Sequence, residues 1–271
     1  MITAKVIEDS VSDDGIRLTT LQLCYPRFIH SEFMTHRSFS RSASSSRAIP
    51  VKKMIEQVRT NPAMPVHWGK NQPGMQAHEQ LTGRNLELVI SEWGVGAKCA
   101  ADIAEMLTEL GLHKQVANRI LEPFQHIHVV VTATEWDNFF NLRCHPDAQP
   151  EMRVLAETMR DVMGASIPKS VAEGQWHLPY VSKEERADRS LKCGDVLKLS
   201  TARCARVSYM KHDGTKPNIE EDIALHDKLV GSVPLHASPA EHPATPMPEY
   251  LDNRRSGNFH GWIQYRKTLE I

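Results

Sequence analysis

The amino-acid sequence predicts a fold of the α/β class, in which strands and helices occur along one globular chain. β-Branched runs at residues 16–25 and 126–134 predict strands, and apolar positions at helical spacing over 84–121 and 152–163 predict helices. The composition, 41% hydrophobic and 24% charged, is that of a globular protein and not of a disordered one. The 271 residues fit one large domain or two small ones.

The elements follow from local patterns in chain order. Residues 16–25 are expected to form a strand that Pro26 ends, and the sequence RFIHSEFMTHR is expected to form a short helix that places His36 and Arg37 at its end. Gly111 is expected to separate two antiparallel helices within 84–123. The other predicted segments are a helix at 51–60, a surface loop at 61–78, a strand at 126–134, helices at 136–144 and 152–163, a connector at 164–198, a strand at 196–209, a helix at 219–230, a proline-rich loop at 234–250 and a helical tail at 253–270.

Charge and cysteine usage exclude several classes of protein. The 32 Lys and Arg against 33 Asp and Glu give a net charge of −1, so a nucleic-acid partner would need a local basic patch. The N-terminus lacks an apolar signal segment and no apolar run is long enough to span a bilayer, which predicts a cytoplasmic protein. Five scattered cysteines without a C-x-x-C pair indicate neither a disulfide framework nor a zinc ribbon.

A serine-rich run is the first candidate site. His36, Arg37, Arg41 and Arg47 are interleaved with serines between residues 38 and 46. Guanidinium groups bind phosphate oxygens bidentately, and small residues let backbone amides approach a phosphate, so this composition suits an anionic ligand. The alternative is a flexible Ser/Arg loop without a ligand.

Two further segments could carry chemistry. In Asn138-Phe-Phe-Asn141-Leu-Arg143, the polar side chains share one helix face, either as ligand contacts or as the solvent side of an amphipathic helix. The segment from His236 to His242 contains potential zinc ligands, but Pro239 and the spacing do not fit H-E-x-x-H, and we expect no metal. Because no nucleophile or dinucleotide motif occurs, covalent catalysis by the protein is poorly supported.

Together these segments resemble the flavin-dependent thymidylate synthases. The family motif R-H-R-x-x-S-x-N-E-x-S-x-R is matched over residues 35–47 at His, Arg, both Ser and the last Arg. The family segment N-F-L-N-L-R, followed by A-Q-x-E, resembles residues 138–143 and 148–151, and a looser match to G-x-x-x-E-x-A-R-x-x-L-P covers 111–123. The motif H-x-S/T-P-x-E-H resembles 236–242.

The order of these pieces differs from the family's order. The last motif precedes R-H-R in the family but lies near the C-terminus here, and ARCARVSY at 202–209 resembles the family's opening strand. We interpret the chain as circularly permuted: 16–163 resembles the middle and end of the family chain, 199–271 its beginning plus a tail, and 164–198 is the connector. The resemblance thus implies a single catalytic domain over 1–271, of the α/β (α+β) class with a mixed or antiparallel sheet flanked by helices.

The resemblance also implies an activity: FAD-dependent methylation of dUMP to dTMP, with methylenetetrahydrofolate and NADPH as co-substrates, in a cytoplasmic homotetramer with shared active sites. Arg143 and Ser45 would be catalytic, with Arg143 on the pyrimidine edge stabilising negative charge as N3 ionises. The remaining residues implied for the nucleotide are Glu32, Ser44, Ser46, Arg47 and Arg119, the last from a neighbouring subunit. Those implied for the flavin are His36, Arg37, Asn138, His236, Ser238 and Glu241.

Several positions depart from the family pattern. Thr35 and Ala43 replace charged motif residues, and Thr132 and Thr134 stand where the family has flavin-binding Asn and Arg. Glu32 stands where the family usually has a Gln that contacts the nucleotide. Methylation or hydroxymethylation of dUMP or dCMP therefore stays open, as does a nucleotide-binding relative without activity. A nucleic-acid-binding protein that uses the Ser/Arg run and residues 254–255 is a third alternative, which the near-zero net charge disfavours.

Overall fold

The computed structural model describes residues 1–207, 215–248 and 256–269. Its strands are β1 (Thr3–Ser12), β2 (Arg17–Pro26), β3 (Ser40–Ala43), β4 (His126–Ala133), β5 (Lys169–Val171), β6 (Ala244–Pro246) and β7 (Trp262–Gln264). Its α-helices are α1 (His30–Phe33), α2 (Val51–Thr60), α3 (Gly83–Glu109), α4 (Lys114–Ala117), α5 (Asp137–Arg143), α6 (Pro150–Gly164), α7 (Lys183–Ala187), α8 (Cys193–Ala205), α9 (Ile219–Val230) and α10 (Arg266–Leu269). Short 3₁₀ helices occupy Arg27–Ile29, Asn118–Phe124 and Ser238–Glu241.

Five strands form a mixed sheet in the order β3-β4-β2-β1-β5. Neighbouring strands are antiparallel except for β5, which pairs in parallel with β1. Gly15 adopts a φ of 77° in the tight turn between β1 and β2, a conformation that glycine adopts without steric cost. The sheet and its flanking helices confirm the predicted fold class, and β6 and β7 form a separate two-stranded sheet.

One face of the sheet carries the main hydrophobic core. Alternate residues of β2 and β4, among them Leu21, Leu23 and Val131, are fully buried there. Helix α6 covers this face through Leu155 and Met159, which lie one turn apart on its apolar side. The predicted strands at 16–25 and 126–134 and the predicted helix at 152–163 are thereby confirmed. The helix pattern arises from burial on one side, whereas β2 and β4 are largely buried on both faces.

A second layer is helical. α2 packs on α3 and on the 3₁₀ helix Asn118–Phe124. Ala97, Ala101 and Ala104 form the buried stripe of α3, and their small side chains allow α2 to approach closely. Within 84–123 the chain forms one long helix, then the single turn α4 and the 3₁₀ helix, because Pro123 lacks an amide proton to continue a regular helix. The predicted pair of antiparallel helices is therefore wrong in its second member.

The C-terminal part differs most from expectation. The predicted strand at 196–209 is wrong over 196–205, which belongs to α8; Ser208 and Tyr209 lie outside the described residues. Every residue from Leu197 to Cys204 except Lys198 is buried. The segment therefore shows neither the period of an amphipathic helix nor the alternation of a half-buried strand. The connector contributes β5 and α7, and the expected helical tail contains β7 before the one-turn α10.

The buried side chain of Arg203 links three helices of the C-terminal part. Its guanidinium is 1% exposed and donates to both carboxylate oxygens of Glu185 at 2.7 Å, to Asp222 at 2.8 Å and to the Tyr180 carbonyl at 2.9 Å. The arginine thus connects α7, α8 and α9. Among the described residues, no helix is both long and apolar enough to cross a membrane.

Candidate functional site

A cleft with a volume of about 1240 Å³ opens between the helical segments α1, α5 and α6 and the loop at 61–82. Glu32 after β2, Arg143 at the end of α5 and Gln149 before α6 line one wall. The opposite wall is formed by residues 65–67, 69 and 75–78 of the loop. The sequence predicted this loop but not its place at the site, since its Pro- and Gly-rich composition indicates only an irregular surface segment.

Glu151 fixes the loop to the helical wall. Its carboxylate is buried and accepts a hydrogen bond from the backbone amide of Val66 at 2.6 Å and another from the Gln149 side chain. The Gln76 side chain donates to the carbonyl of Asp147 at the rim of the cleft. The residues 148–151, singled out from the sequence, therefore both line the cleft and hold its far wall.

Arg143 lies at the centre of the polar wall. Its Nε donates to His36 Nε2 at 3.0 Å, its Nη2 donates to Thr35 Oγ1 at 3.4 Å, and its Nη1 lies 3.7 Å from a carboxylate oxygen of Glu32. Burial, followed by the charges of Arg143 and Arg41, lowers the pKa of His36 to about 4. His36 is therefore a neutral acceptor at Nε2, and its proton resides on Nδ1.

The turn that carries His36 is held from β3. Arg41 donates through Nη1 to the carbonyls of Phe33 and Met34, the last acceptors of α1, at 3.3 and 3.0 Å. The His36 ring also packs edge-on against Phe139 at a centroid distance of 4.8 Å. The structure thus brings together three residues that the sequence had placed in separate motifs, namely Glu32, His36 and Arg143.

The serine loop, Ser44–Arg47, follows β3 directly. Ser44 exchanges two hydrogen bonds with the backbone of His128. The Ser45 hydroxyl accepts from the amide of Arg47 at 3.2 Å, and Ser46 donates to Glu122 at 3.4 Å. Within the parts of the chain that the structure describes, the Arg47 side chain is exposed and makes no hydrogen bond or ion pair.

A buried asparagine and a carboxylate connect this loop to the 3₁₀ helix that carries Arg119. Asn118 donates to the carbonyls of Ser46 and Ile49 at 2.6 and 3.1 Å. Arg119 pairs at 2.8 Å with the same Glu122 that binds Ser46. The residues implied for a phosphate therefore occupy one neighbourhood, in which Glu122 neutralises part of the positive charge.

The segment from His236 to His242 packs against β3 as a 3₁₀ helix. His236 and Ser238 are exposed, whereas Glu241 pairs with Arg266. Both ring nitrogens of the fully buried His242 form hydrogen bonds with hydroxyl groups. His242 therefore has no free nitrogen for a metal ion.

His242 belongs to a buried hydroxyl–imidazole chain that crosses four strands. Its members in order are Ser42, His242, Thr132, Thr20, His177 and Ser10. Their successive heavy-atom distances are 2.9, 2.8, 2.6, 2.7 and 2.8 Å. Burial lowers the pKa of His242 to about 3 and holds that of His177 well below its usual range, so both rings are neutral. Sequence reasoning missed His177, for which no local signal exists.

The side chains implied for a flavin are distributed over neighbouring elements. Arg37, Asn138, His236 and Ser238 are exposed, and His36 is half-buried. These guanidinium, amide, imidazole and hydroxyl groups are of the types that a flavin nucleotide requires, so they fit it chemically. Thr132 is used within the hydroxyl–imidazole chain and Thr134 accepts from the amide of His260 at 2.9 Å.

Comparison with known proteins decides the family. The model of the thymidylate synthase complementing protein family matches residues 18–169, more than half of the chain. The chain belongs to this family, the flavin-dependent thymidylate synthases. It is accordingly a flavin-dependent, methyltransferase-like enzyme. The match covers the strands β2 (from Leu18), β3 and β4, the serine loop, α5 and α6, but not β1 or the segment that contains His242.

Solved structures are similar to this chain, and the two with a TM-score of 0.50 share its fold. The UMP/dUMP methylase PolB from Streptomyces cacaoi, bound with 5-Br UMP, is 15% identical over 61% of this chain and 89% of that chain, with a TM-score of 0.50. Its complex with 5-Br dUMP gives 14% identity, 61% and 90% coverage and the same TM-score. Thymidylate synthase X from Helicobacter pylori, solved with FAD and dUMP, is 19% identical over 54% of this chain and 67% of that chain, with a TM-score of 0.38. No curated protein sequence matches this chain.

Proposed function

We propose that this chain methylates C5 of a pyrimidine nucleoside monophosphate. The family resemblance implies one such reaction, the conversion of dUMP to dTMP. Methylenetetrahydrofolate supplies a CH₂ unit and NADPH supplies a hydride. With one proton from solvent, the nucleotide gains CH₂, NADPH becomes NADP⁺ and tetrahydrofolate is released, so atoms and electrons balance. The observation that carries the proposal is Arg143, held on the cleft wall by a neutral histidine.

Arg143 binds the edge of the pyrimidine ring in this proposal. Its Nε and Nη2 are fixed by His36 and Thr35, so the guanidinium is oriented before the nucleotide arrives. A preoriented cation beside the ring stabilises negative charge there without reorganisation, which increases the electron density at C5. Because His36 is neutral, it accepts from Arg143 and adds no repulsion to it.

The serine loop and Arg119 would bind the phosphate. Ser44 and Ser45 would offer hydroxyls and Arg47 an exposed guanidinium, whereas the buried Ser46, whose hydroxyl donates to Glu122, would contribute through the backbone of the loop. Ser45 would be the catalytic residue among them by positioning the nucleotide. The resemblance assigns Arg119 to the site of a neighbouring subunit. We therefore propose a homotetramer with shared sites, in the cytoplasm.

FAD, when bound, supplies the redox chemistry of the reaction. We propose that His36, Arg37, Asn138, His236, Ser238 and Glu241 hold it. Arg37 provides the positive charge that a flavin phosphate requires, and Asn138 lies on the same helix as Arg143. Glu241 acts through Arg266, whose guanidinium it binds.

The single-domain, circularly permuted organisation is part of the proposal. Residues 236–242 pack against β3, the strand that directly precedes the serine loop, although about 190 residues of chain separate them. Ser42 and His242, joined at 2.9 Å, provide the contact. This neighbourhood supports one catalytic unit built from reordered segments.

The test begins with the absorbance spectrum of the purified protein after incubation with FAD. The flavin-loaded protein is then incubated with methylenetetrahydrofolate, NADPH and either dUMP or dCMP, and the nucleotide is analysed by mass. We expect a bound flavin and a mass gain of one CH₂ unit. A gain of CH₂O would replace methylation by hydroxymethylation, and failure to bind FAD would refute the proposed function.

A further inference from the structure

Glu32 and Arg143 form a charged pair that retains hydrogen-bonding capacity toward the cleft. The distance of 3.7 Å between Arg143 Nη1 and the Glu32 carboxylate exceeds that of a direct hydrogen bond. The Glu32 side chain is 40% exposed and both residues line the cleft. Since Nε and one Nη2 proton of Arg143 face His36 and Thr35, the Nη1 protons and the second Nη2 proton remain for a ligand.

The pair has a fixed hydrogen-bonding pattern. An ionised carboxylate only accepts and a guanidinium only donates, so Glu32 beside the end of Arg143 presents one acceptor followed by two donors. Cytosine presents the complement along its pairing edge: the N4 amine donates, and N3 and O2 accept. Uracil presents O4 as an acceptor, N3–H as a donor and O2 as an acceptor, which would set its O4 against Glu32 and its N3–H against Arg143.

We infer that the nucleotide is a cytosine nucleoside monophosphate, with Glu32 binding the N4 amine and Arg143 binding N3 and O2. This inference rests on the proposed function and names its base. With uracil bound, the Glu32 carboxylate would face the O4 carbonyl oxygen, and neither group could donate a hydrogen bond to the other. A site with such an unpaired charge discriminates strongly against the uracil nucleotide. Glu32 is therefore the residue that determines base specificity.

Equilibrium titration of the flavin-loaded protein with dCMP and with dUMP tests the inference. We expect dCMP to bind about tenfold more tightly than dUMP, or better. Glu32→Gln, which can donate to O4, should bring the ratio close to one or reverse it. Glu87→Gln, which removes an exposed carboxylate of α3 outside the cleft, should keep the wild-type ratio.

A pH series adds a readout that a structural role of Glu32 would not change. Ionisation of uracil N3 removes the mismatch with Arg143 but leaves O4, which then shares the negative charge, against Glu32. The gain in dUMP affinity at alkaline pH should therefore be larger in Glu32→Gln than in the wild type, while dCMP affinity should show no such gain. Equal or tighter binding of dUMP at neutral pH, or an unchanged ratio in Glu32→Gln, would overturn the base assignment. Turnover of dUMP alone would refute the inference and leave the proposed function standing, whereas binding of neither nucleotide would refute both.

Discussion

The buried histidines make the stability of the fold dependent on pH, and His242 allows a quantitative prediction. Burial lowers the pKa of His242 from 6.5 to about 3, so between these values the unfolded chain takes up a proton that the folded chain excludes. The unfolding free energy therefore falls as pH decreases from about 6.5. At pH 5 the gap of about 1.5 pH units, at about 1.36 kcal/mol per unit, corresponds to about 2 kcal/mol.

The variant His242→Gln isolates this contribution. Gln keeps one donor and one acceptor but cannot reproduce both ring nitrogens, so the variant should lose about 1–3 kcal/mol at pH 7. Between pH 7 and pH 5, however, its unfolding free energy should fall by about 2 kcal/mol less than that of the wild type. Urea denaturation followed by circular dichroism at both pH values measures the difference.

Two further variants make the comparison specific. His177→Gln, at the other imidazole of the hydroxyl–imidazole chain, should also flatten the pH dependence, because the buried ring of His177 is held neutral. His78→Gln replaces an exposed ring on the loop and serves as the control. If the unfolding free energies of His242→Gln and of the wild type fell by the same amount between pH 7 and pH 5, the conclusion that His242 is buried and neutral would be wrong.

Three other predictions concern single contacts. Arg203→Met leaves the buried carboxylate of Asp222 with Arg206 as its arginine partner, removes the two bonds to Glu185 and should cost about 3–5 kcal/mol in urea denaturation; a loss below about 1 kcal/mol would contradict the buried pairing. Asn118→Ala removes two hydrogen bonds, including one to the carbonyl of Ser46, and should lower the unfolding free energy by about 2 kcal/mol. It should also accelerate amide exchange in the serine loop, and an unchanged exchange rate would refute this prediction. Arg143→Ala should abolish turnover with an unchanged circular dichroism spectrum, and near-normal turnover would remove it from the activating role.

The helices at 51–60, 152–163 and 219–230 were predicted correctly because each has one buried face. The strands at 16–25 and 126–134 are largely buried on both faces, and their β-branched and apolar composition predicted them. β3 was missed because its sequence, SRSA, has little intrinsic strand preference and is held by pairing with β4, about 90 residues away. β1 was missed as well, although its hairpin with β2 is local, since its charged residues obscure the alternation.

The candidate site also contains both residues that local motifs predict and a segment whose position depends on a long-range contact. Glu32, His36 and Arg143 could be named from motifs, and the structure joins them. The position of the loop at 61–82 could not be predicted, because it depends on the contact between Val66 and the buried Glu151. Hydrogen bonds between residues more than 80 positions apart leave no pattern in the intervening sequence.

The hydroxyl–imidazole chain links the sheet to two segments that are distant along the sequence. Each hydroxyl and each neutral imidazole can donate once and accept once, so every link is satisfied when all groups donate in the same direction, either from Ser42 to Ser10 or the reverse. It connects the sheet with His177 of the connector and with His242 of the C-terminal part. These links depend on position in space and not on the order of the segments along the chain. In the permuted organisation that we propose, the contacts of His177 and His242 therefore specify where each segment lies, and a misplaced segment would leave buried donors without acceptors.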